Sequence, residues 1–205
     1  MAGLAISDLF NVNGMVFAVT GGGSGLGEWM ALALCENGAS KIFILGRRGA
    51  SLLKVAAKAI NGNIILIPCD ISSQDAAADL LEKQTPFVNA VIANPGLSGT
   101  ITNIGPRSSD STIAFIQEQL WNTSLDEARQ VMDVNVIGAL YTFVAFMELL
   151  NAGNTHPGSR GKMGIPANYT APGMFLTEMT EVNYLNLLEA LPIVTSTQSV
   201  SKGED

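Results

Sequence analysis

The strongest constraint on the fold of this chain is a loop with five glycines among residues 21–27. The preceding segment, Met15 to Thr20, is apolar and rich in β-branched and aromatic residues, which is typical of a buried strand. The following segment, Leu26 to Asn37, has apolar residues at helical spacing and is stopped by Gly38. A buried strand, a glycine loop and a helix in this order predict the first part of a parallel βαβ unit.

Apolar strand patterns recur three more times before residue 94, and a helical pattern separates each from the next. The further strands are predicted at Lys41 to Leu45, Asn63 to Pro68 and Val88 to Ala93, and the helices at Ser51 to Ile60 and from Ser73 to about Gln84. This alternation predicts an α/β fold with a doubly wound, Rossmann-like parallel sheet that is covered by helices on both faces.

A longer helix is predicted to begin at Ser124, because Ser124 and Glu127 fit a capping box, and to end near residue 151. Its apolar run from Val136 to Met147 is interpreted as a buried core helix, since a membrane span needs about 20 such residues. One helical stripe of this helix holds Val131, Val134, Ile137, Leu140, Val144 and Met147. Beyond this helix, the alternation of strand and helix patterns stops. One short strand within Gly164 to Ala171, a weak helix over Val182 to Val194 and a disordered tail at 195–205 are expected.

Composition excludes several classes of protein. The net charge of −7, with 11 Lys and Arg residues among 205, argues against nucleic acid as a partner. With 47% hydrophobic and 14% charged residues, the chain is expected to form one globular domain over residues 1–205. The pattern shows no signal peptide, membrane segment or metal site. Cys35 and Cys69 are expected to be reduced core residues of a cytoplasmic protein.

The glycine loop predicts a dinucleotide site. Glycines let the backbone approach a pyrophosphate closely, and the N-terminus of the following helix supplies free N–H groups and a positive dipole. At the end of the second strand stand Arg47 and Arg48, with no acidic residue to hold a ribose 2′-hydroxyl. Arg47 is the expected contact of a 2′-phosphate and Arg48 assists, which favours NADP(H) over NAD(H).

These motifs resemble those of the short-chain dehydrogenase/reductase family. The spacing of Thr20, Gly21, Gly25 and Gly27 resembles its cofactor motif. Four later segments also resemble family motifs in order: Cys69-Asp70-Ile71, Ala93-Asn94-Pro95-Gly96, Met132 to Gly138, and Ala171 to Met179. Together with the two arginines, the residues assigned to the cofactor are Thr20, Gly21, Ser24, Gly25, Leu26, Gly27, Asp70, Ile71, Asn94, Gly96, Pro172, Gly173 and Thr177.

The resemblance implies an oxidoreductase that interconverts a small carbonyl compound and an alcohol. The family mechanism uses a Tyr as general acid/base, a Lys four residues later, a Ser that orients the substrate and an Asn on the long helix. Asn135 matches that Asn, and it is the only member of this catalytic tetrad that the sequence supplies. The residues four positions after the three tyrosines at 141, 169 and 184 are Ala145, Gly173 and Leu188, so the Tyr-x-x-x-Lys motif is absent.

Relative to the family pattern, an internal strand–helix unit is missing between Lys162 and Pro166, and the C-terminal unit is also missing. The sheet is therefore expected to be reduced. The helix at 124–150 loses one neighbour, so Phe143, Phe146 and Met147 are candidates for exposure. This helix is then the expected surface for a homo- or hetero-oligomer.

Three interpretations stay open. The chain is an incomplete product of an enzyme, a cofactor-binding pseudoenzyme or partner subunit, or an enzyme with substitute groups such as Tyr169 or His156.

Overall fold

Four parallel strands form one sheet in the computed structural model, which describes residues 11–70, 81, 83–97, 112–122 and 124–156. The strands are β1 (Val16–Thr20), β2 (Lys41–Gly46), β3 (Ile64–Pro68) and β4 (Ala90–Ala93). Their order across the sheet is β3-β2-β1-β4, and every neighbouring pair is parallel. The order reverses beside β1, as in doubly wound folds. The fold class predicted from the alternating pattern is confirmed.

Helices cover both faces of this sheet. The described helices are α1 (Gly25–Glu36), α2 (Gly49–Ala56), α3 (Ile113–Trp121), α4 (Leu125–Met132), α5 (Gly138–Ala145) and α6 (Met147–Thr155), and a π-helix (Asp133–Ile137) joins α4 to α5. Residues of α1 and α2 pack in the core on one face, and Phe146 and Leu149 pack in the core on the other. Successive residues of β2 point to opposite faces. Ile42 and Ile44 therefore pack in the core that includes Ala31 of α1, whereas Phe43 and Leu45 pack in the core that includes Phe146.

The long helix from Ser124 was predicted to be one regular and buried element, and the structure differs in both respects. The π-helix interrupts it after Met132, and a bend of 42° separates the segment 125–145 from α6. A π-turn closes its hydrogen bonds over five residues instead of four, so it changes which side chains follow one another along a face. The predicted continuous stripe is consequently not the face that packs on the sheet. The buried positions of α5 and α6 are Gly138, Thr142, Leu149 and Gly153, with Phe146 between the two helices.

The interpretation of residues 136–147 as a buried core run is therefore wrong. Leu140 is 58% exposed and Val144 is 51% exposed. Among the three side chains expected to be exposed, Phe143 and Met147 are confirmed, whereas Phe146 is fully buried. Phe146 lies at the bend, where the change of helix direction turns its ring into the core beside the sheet.

No described helix is by itself long and apolar enough to span a membrane. Only the bent pair 125–145 and 147–155 reaches the required length and composition, and only when the two segments are taken together. Several expectations lie outside the described residues. These are most of the helix predicted from Ser73, the short strand within 164–171, the weak helix at 182–194, the tail at 195–205 and the two missing units.

Candidate functional site

The carboxyl ends of the four strands meet at one edge of the sheet. Thr20 of β1 is in register with Leu45 of β2 and with Ala93 of β4, and Gly46 of β2 is in register with Pro68 of β3. The segments that follow these strands carry most of the described residues predicted to bind the cofactor. In open α/β sheets this edge, beside the reversal of strand order, is where ligands bind.

The glycine loop fits closely against the strands beneath it. Gly21 and Gly25 have positive φ angles of 68° and 56°, a conformation that side chains disfavour. The N–H groups of Gly21 and Gly22 donate to the carbonyl of Leu45 at 2.8 and 3.3 Å, which ties the loop to β2. A Cβ atom on Gly27 would lie 2.2 Å from the carbonyl oxygen of Gly21. Only glycine can therefore stand at this position of the first helical turn.

Thr20 and Asn94 link this loop to the end of β4. The Thr20 hydroxyl donates to the carbonyl of Ile92 at 3.3 Å and accepts from the backbone N–H of Asn94 at 3.2 Å. The Asn94 carboxamide nitrogen would lie 2.7 Å from a Cβ on Gly27, so its side chain covers the loop from the β4 side. Thr20 and Asn94, which the family resemblance assigned to the cofactor site, therefore also hold the glycine loop in place.

Arg48 reaches from the end of β2 to the glycine loop. Its Nη2 atom donates to the Ser24 hydroxyl at 3.0 Å, although the two residues are 24 positions apart. Ser24 is the N-cap residue of α1 and Arg48 is the N-cap residue of α2. The sequence pattern predicted that both residues lie near the site, but it contained no signal for their direct contact.

The end of β3 brings a thiol and a carboxylate to the same edge. The backbone N–H of Cys69 donates to the carbonyl of Gly46 at 3.0 Å, and Asp70 is exposed next to it. Burial raises the pKa of the Cys69 thiol above its ordinary value. A hydrogen bond between the backbone of Gly46 and the thiol itself opposes this shift, and the Asp70 charge adds to it. Cys69 is therefore a protonated core thiol at neutral pH, and both Cys35 and Cys69 are free and buried.

Asn135 lies in the π-helix and holds the segment that follows β4. Its Oδ1 accepts from the backbone N–H of Leu97 at 2.8 Å, and its Nδ2 donates to the carbonyl of Leu97 at 3.0 Å. The carboxamide thus pairs with Leu97 as a neighbouring strand would. A Cβ on Gly96 would lie 3.8 Å from Asn135 Oδ1, so Asn135 and Gly96 are neighbours. Leu97 had no distinguishing feature in the sequence.

His156 does not join this group. Its ring stacks on Phe87 with centroids 4.5 Å apart, and Phe87 precedes the first residue of β4. His156 is therefore at the amino-terminal edge of the sheet, opposite the glycine loop, and this position argues against His156 as a substitute catalytic base.

Across the described segments, no three His, Cys, Asp or Glu side chains converge as metal ligands. The predicted site residues Ile71, Pro172, Gly173 and Thr177, and the alternative base Tyr169, lie outside the described residues.

The arrangement of strands, loop and helix defines a dinucleotide-binding type of α/β domain. The family profile of the short chain dehydrogenases matches residues 15–159. The chain belongs to this family. That match ends just beyond α6 and includes every described element.

Curated relatives agree with this assignment. The short-chain dehydrogenase/reductase PhomF of Diaporthe leptostromiformis is 40% identical over 161 residues, which cover 76% of this chain and 53% of PhomF. The short-chain dehydrogenase/reductase VdtF of Byssochlamys spectabilis is 34% identical over 158 residues, which cover 74% of this chain and 51% of VdtF. The chain thus spans about half the length of the curated relatives it matches.

Solved structures share the fold at low sequence identity. The Pseudomonas aeruginosa RhlG/NADP active-site complex covers 72% of this chain with a TM-score of 0.56 and 23% identity, and the match spans 52% of that chain. An NAD+-bound xylitol dehydrogenase covers 70% with a TM-score of 0.57 and 23% identity, and the match spans 50% of that chain. One of these two complexes contains NADP and the other NAD+, so the shared fold does not distinguish the cofactors.

Proposed function

We propose that this chain binds NADP(H) at the carboxyl ends of its strands. The observation that carries the proposal is the close packing of Gly27 against Gly21, which leaves no room for a side chain between the loop and α1. Such packing lets a pyrophosphate meet the backbone N–H groups at the start of α1 directly. The backbone N–H groups of Ser24, Gly25 and Leu26 would line the phosphates, and Asp70 and Asn94 would border the adenosine and nicotinamide sides.

The preference for NADP(H) rests on charge at the end of β2. Arg47 and Arg48 are both exposed there. The acidic residue that usually holds a ribose 2′-hydroxyl is absent from these two positions. Arg48 already lies against the glycine loop through Ser24. A 2′-phosphate between these residues would gain charge-assisted hydrogen bonds that NAD(H) cannot form.

We further propose that this chain descends from oxidoreductases that interconvert carbonyl compounds and alcohols. The 205 residues by themselves would catalyse this reaction poorly. The cofactor, when bound, supplies the hydride. The chain contributes binding and orientation, because Asn135 and Asn94 fix the segments around the nicotinamide side. It has no Tyr-x-x-x-Lys motif to move the substrate proton. A small carbonyl or alcohol remains the substrate class if turnover occurs.

The alternative is a cofactor-binding partner subunit. The observation that favours it is a group of exposed apolar side chains on the outer side of the long helix that the π-helix and the bend interrupt. This group, called the apolar stripe below, differs from the stripe predicted from the sequence. The stripe contains Val136, Leu140, Phe143, Val144 and Met147, each at least 40% exposed. Exposed apolar side chains grouped on one helix are typical of an interface, so we propose that the helix of residues 124–150 joins this chain to a second copy or to another protein. The buried free Cys35 and Cys69 suit a cytoplasmic, reducing location.

The test is a comparison of NADPH and NADH binding by the full chain, measured by calorimetry or cofactor fluorescence. Arg48→Ala and Arg47→Ala should each weaken NADPH binding and leave NADH binding unchanged. Lys54→Ala, an exposed cation in the last turn of α2, is the control for a simple loss of charge. Tighter binding of NADH than of NADPH by the unaltered chain would overturn the cofactor assignment. Turnover of test ketones at ordinary enzyme rates would overturn the proposed impairment.

A further inference from the structure

Among the described helices, α1 and α4 each begin after a serine N-cap, and these two serines use their hydroxyl groups differently. Ser124 at the start of α4 accepts a hydrogen bond from the backbone N–H of Glu127 at 3.4 Å, which is the ordinary capping bond. Ser24 at the start of α1 makes no capping bond. Its backbone is fully extended, with φ −168° and ψ 167°.

The Ser24 hydroxyl is directed at Arg48 instead. It accepts from Arg48 Nη2 at 3.0 Å, and this contact joins the N-cap residue of α1 to the N-cap residue of α2. Both helices have their positive dipole ends at this point. An anion placed between them would meet two helix N-termini and one guanidinium group.

The absent capping bond has a consequence for binding. A serine that caps its own helix occupies a first-turn N–H group, whereas Ser24 leaves those groups to a ligand. A hydroxyl that accepts from Arg48 also keeps its own proton to donate. A long arginine side chain on the surface samples many rotamers, and one fixed hydrogen bond reduces that freedom.

We propose that Ser24 is a positioning residue that holds the Arg48 guanidinium in place for the 2′-phosphate of NADP(H). The role rests on the proposed cofactor site and specifies how that site distinguishes NADP(H) from NAD(H). Ser24 acts through Arg48, so its removal should affect only the dinucleotide that carries the extra phosphate.

The experiment uses the full chain with NADPH and NADH as probes. Ser24→Ala should raise the Kd for NADPH about fivefold, the effect of one ordinary hydrogen bond, and should leave the Kd for NADH unchanged. Ser24→Thr keeps the hydroxyl and suits extended backbone, so it should restore NADPH binding. In the Ser24→Ala/Arg48→Ala double variant, the serine should have no further effect, because the residue it positions is gone.

A matched control separates positioning from helix capping. Ser124→Ala removes a real capping bond and should lower the Tm of the cofactor-free chain by about 2–4 °C, with unchanged Kd for NADPH. Ser24→Ala should leave that Tm unchanged within error, since no capping bond is lost and the Arg48 hydrogen bond is exposed to water, which replaces it in the cofactor-free chain.

An equal loss of NADPH and NADH affinity in Ser24→Ala, or an unchanged NADPH affinity, would overturn the positioning role. A drop in the cofactor-free Tm equal to that of Ser124→Ala would assign Ser24 to capping and overturn it as well. If the unaltered chain shows no preference for NADPH, the proposed function fails, and the positioning role fails with it. If the preference exists and Ser24→Ala retains it, only the positioning role fails.

Discussion

The βαβ unit of residues 15–70 and the broken helix of residues 124–156 differ in how fully the described structure covers their apolar side chains. All five residues of β1 and the central residues of β2 are buried. In the broken helix, Phe146 is completely buried, whereas Leu140 is more than half exposed. One face of the first unit packs on its own helices α1 and α2, and its other face packs on later residues that include Val88, Phe146 and Leu149. The helix obtains one side of its packing from β1–β4 and leaves the other side open.

The βαβ unit and the broken helix also share one feature. In each, a helical glycine lies very close to a backbone carbonyl of a neighbouring segment. A Cβ on Gly27 would lie 2.2 Å from the oxygen of Gly21, and a Cβ on Gly153 would lie 2.3 Å from the oxygen of Val88. Both regions are therefore anchored by tight backbone contacts. The difference lies in the outward face of the helix, which is where a partner would act.

The largest expected effect concerns the two phenylalanines near the bend. Phe146→Ala should lower the free energy of unfolding by about 4 kcal/mol, because it empties a fully buried ring site. Phe143→Ala, three residues away and 40% exposed, should cost about 1 kcal/mol. Urea denaturation of both variants measures the difference. Similar losses for the two would mean that the Phe143 face is also covered in solution.

The glycine contacts come next. Gly27→Ala and Gly153→Ala should each destabilise the chain by about 3 kcal/mol, since the new methyl group meets a carbonyl oxygen that cannot move freely. Only Gly27→Ala should abolish NADPH binding at temperatures where both variants are folded. Gly49→Ala is the control: its Cβ would lie 3.8 Å from Pro68, so its stability should change by less than about 0.5 kcal/mol. Retained NADPH affinity in Gly27→Ala would contradict the proposed cradle.

A smaller effect on stability, but a clear one on assembly, is expected from Leu140→Glu. The side chain is 58% exposed, so the charge should change the free energy of unfolding by less than about 0.5 kcal/mol. If the apolar stripe joins two chains, the same charge should lower the mass measured by light scattering to that of a monomer. Gln130→Glu places an identical charge on an exposed polar position of α4 and should leave the mass unchanged. An unaltered mass in Leu140→Glu would place the interface elsewhere.

The smallest effect should appear at alkaline pH. Burial holds the pKa of Cys69 above its ordinary value of 9.0. Below that value both the folded and the unfolded thiol are protonated, and Cys69 causes no pH dependence. As the pH rises past it, the unfolded thiol ionises first, so the folded state loses stability. Unfolding titrations should show this slope, and Cys69→Ala should reduce it. An identical slope in both proteins would assign it to other groups.

Local sequence was sufficient for the elements whose partners are near in sequence. The apolar segment before the glycine loop, the loop itself and the helix after it define β1 and α1 within about two residues, because buried strands and helix stops have local signatures. The Ser124 capping bond to Glu127 was likewise predictable, since both residues lie in one helical turn.

Other features depended on contacts between distant residues. The pairing of Arg48 with Ser24, and of Asn135 with Leu97, joins segments 24 and 38 residues apart. The regular apolar pattern gave no sign of the π-helix or of the bend at Phe146, and both change which side chains face the sheet.

The sequence by itself thus determined the fold class, the family and the position of the glycine loop, because each depends on short motifs in a fixed order. Only the tertiary structure decided which arginine touches the loop, that His156 lies at the opposite edge, and which face of the long helix stays open. These features depend on the relative placement of whole elements, which the order of residues along one element does not specify.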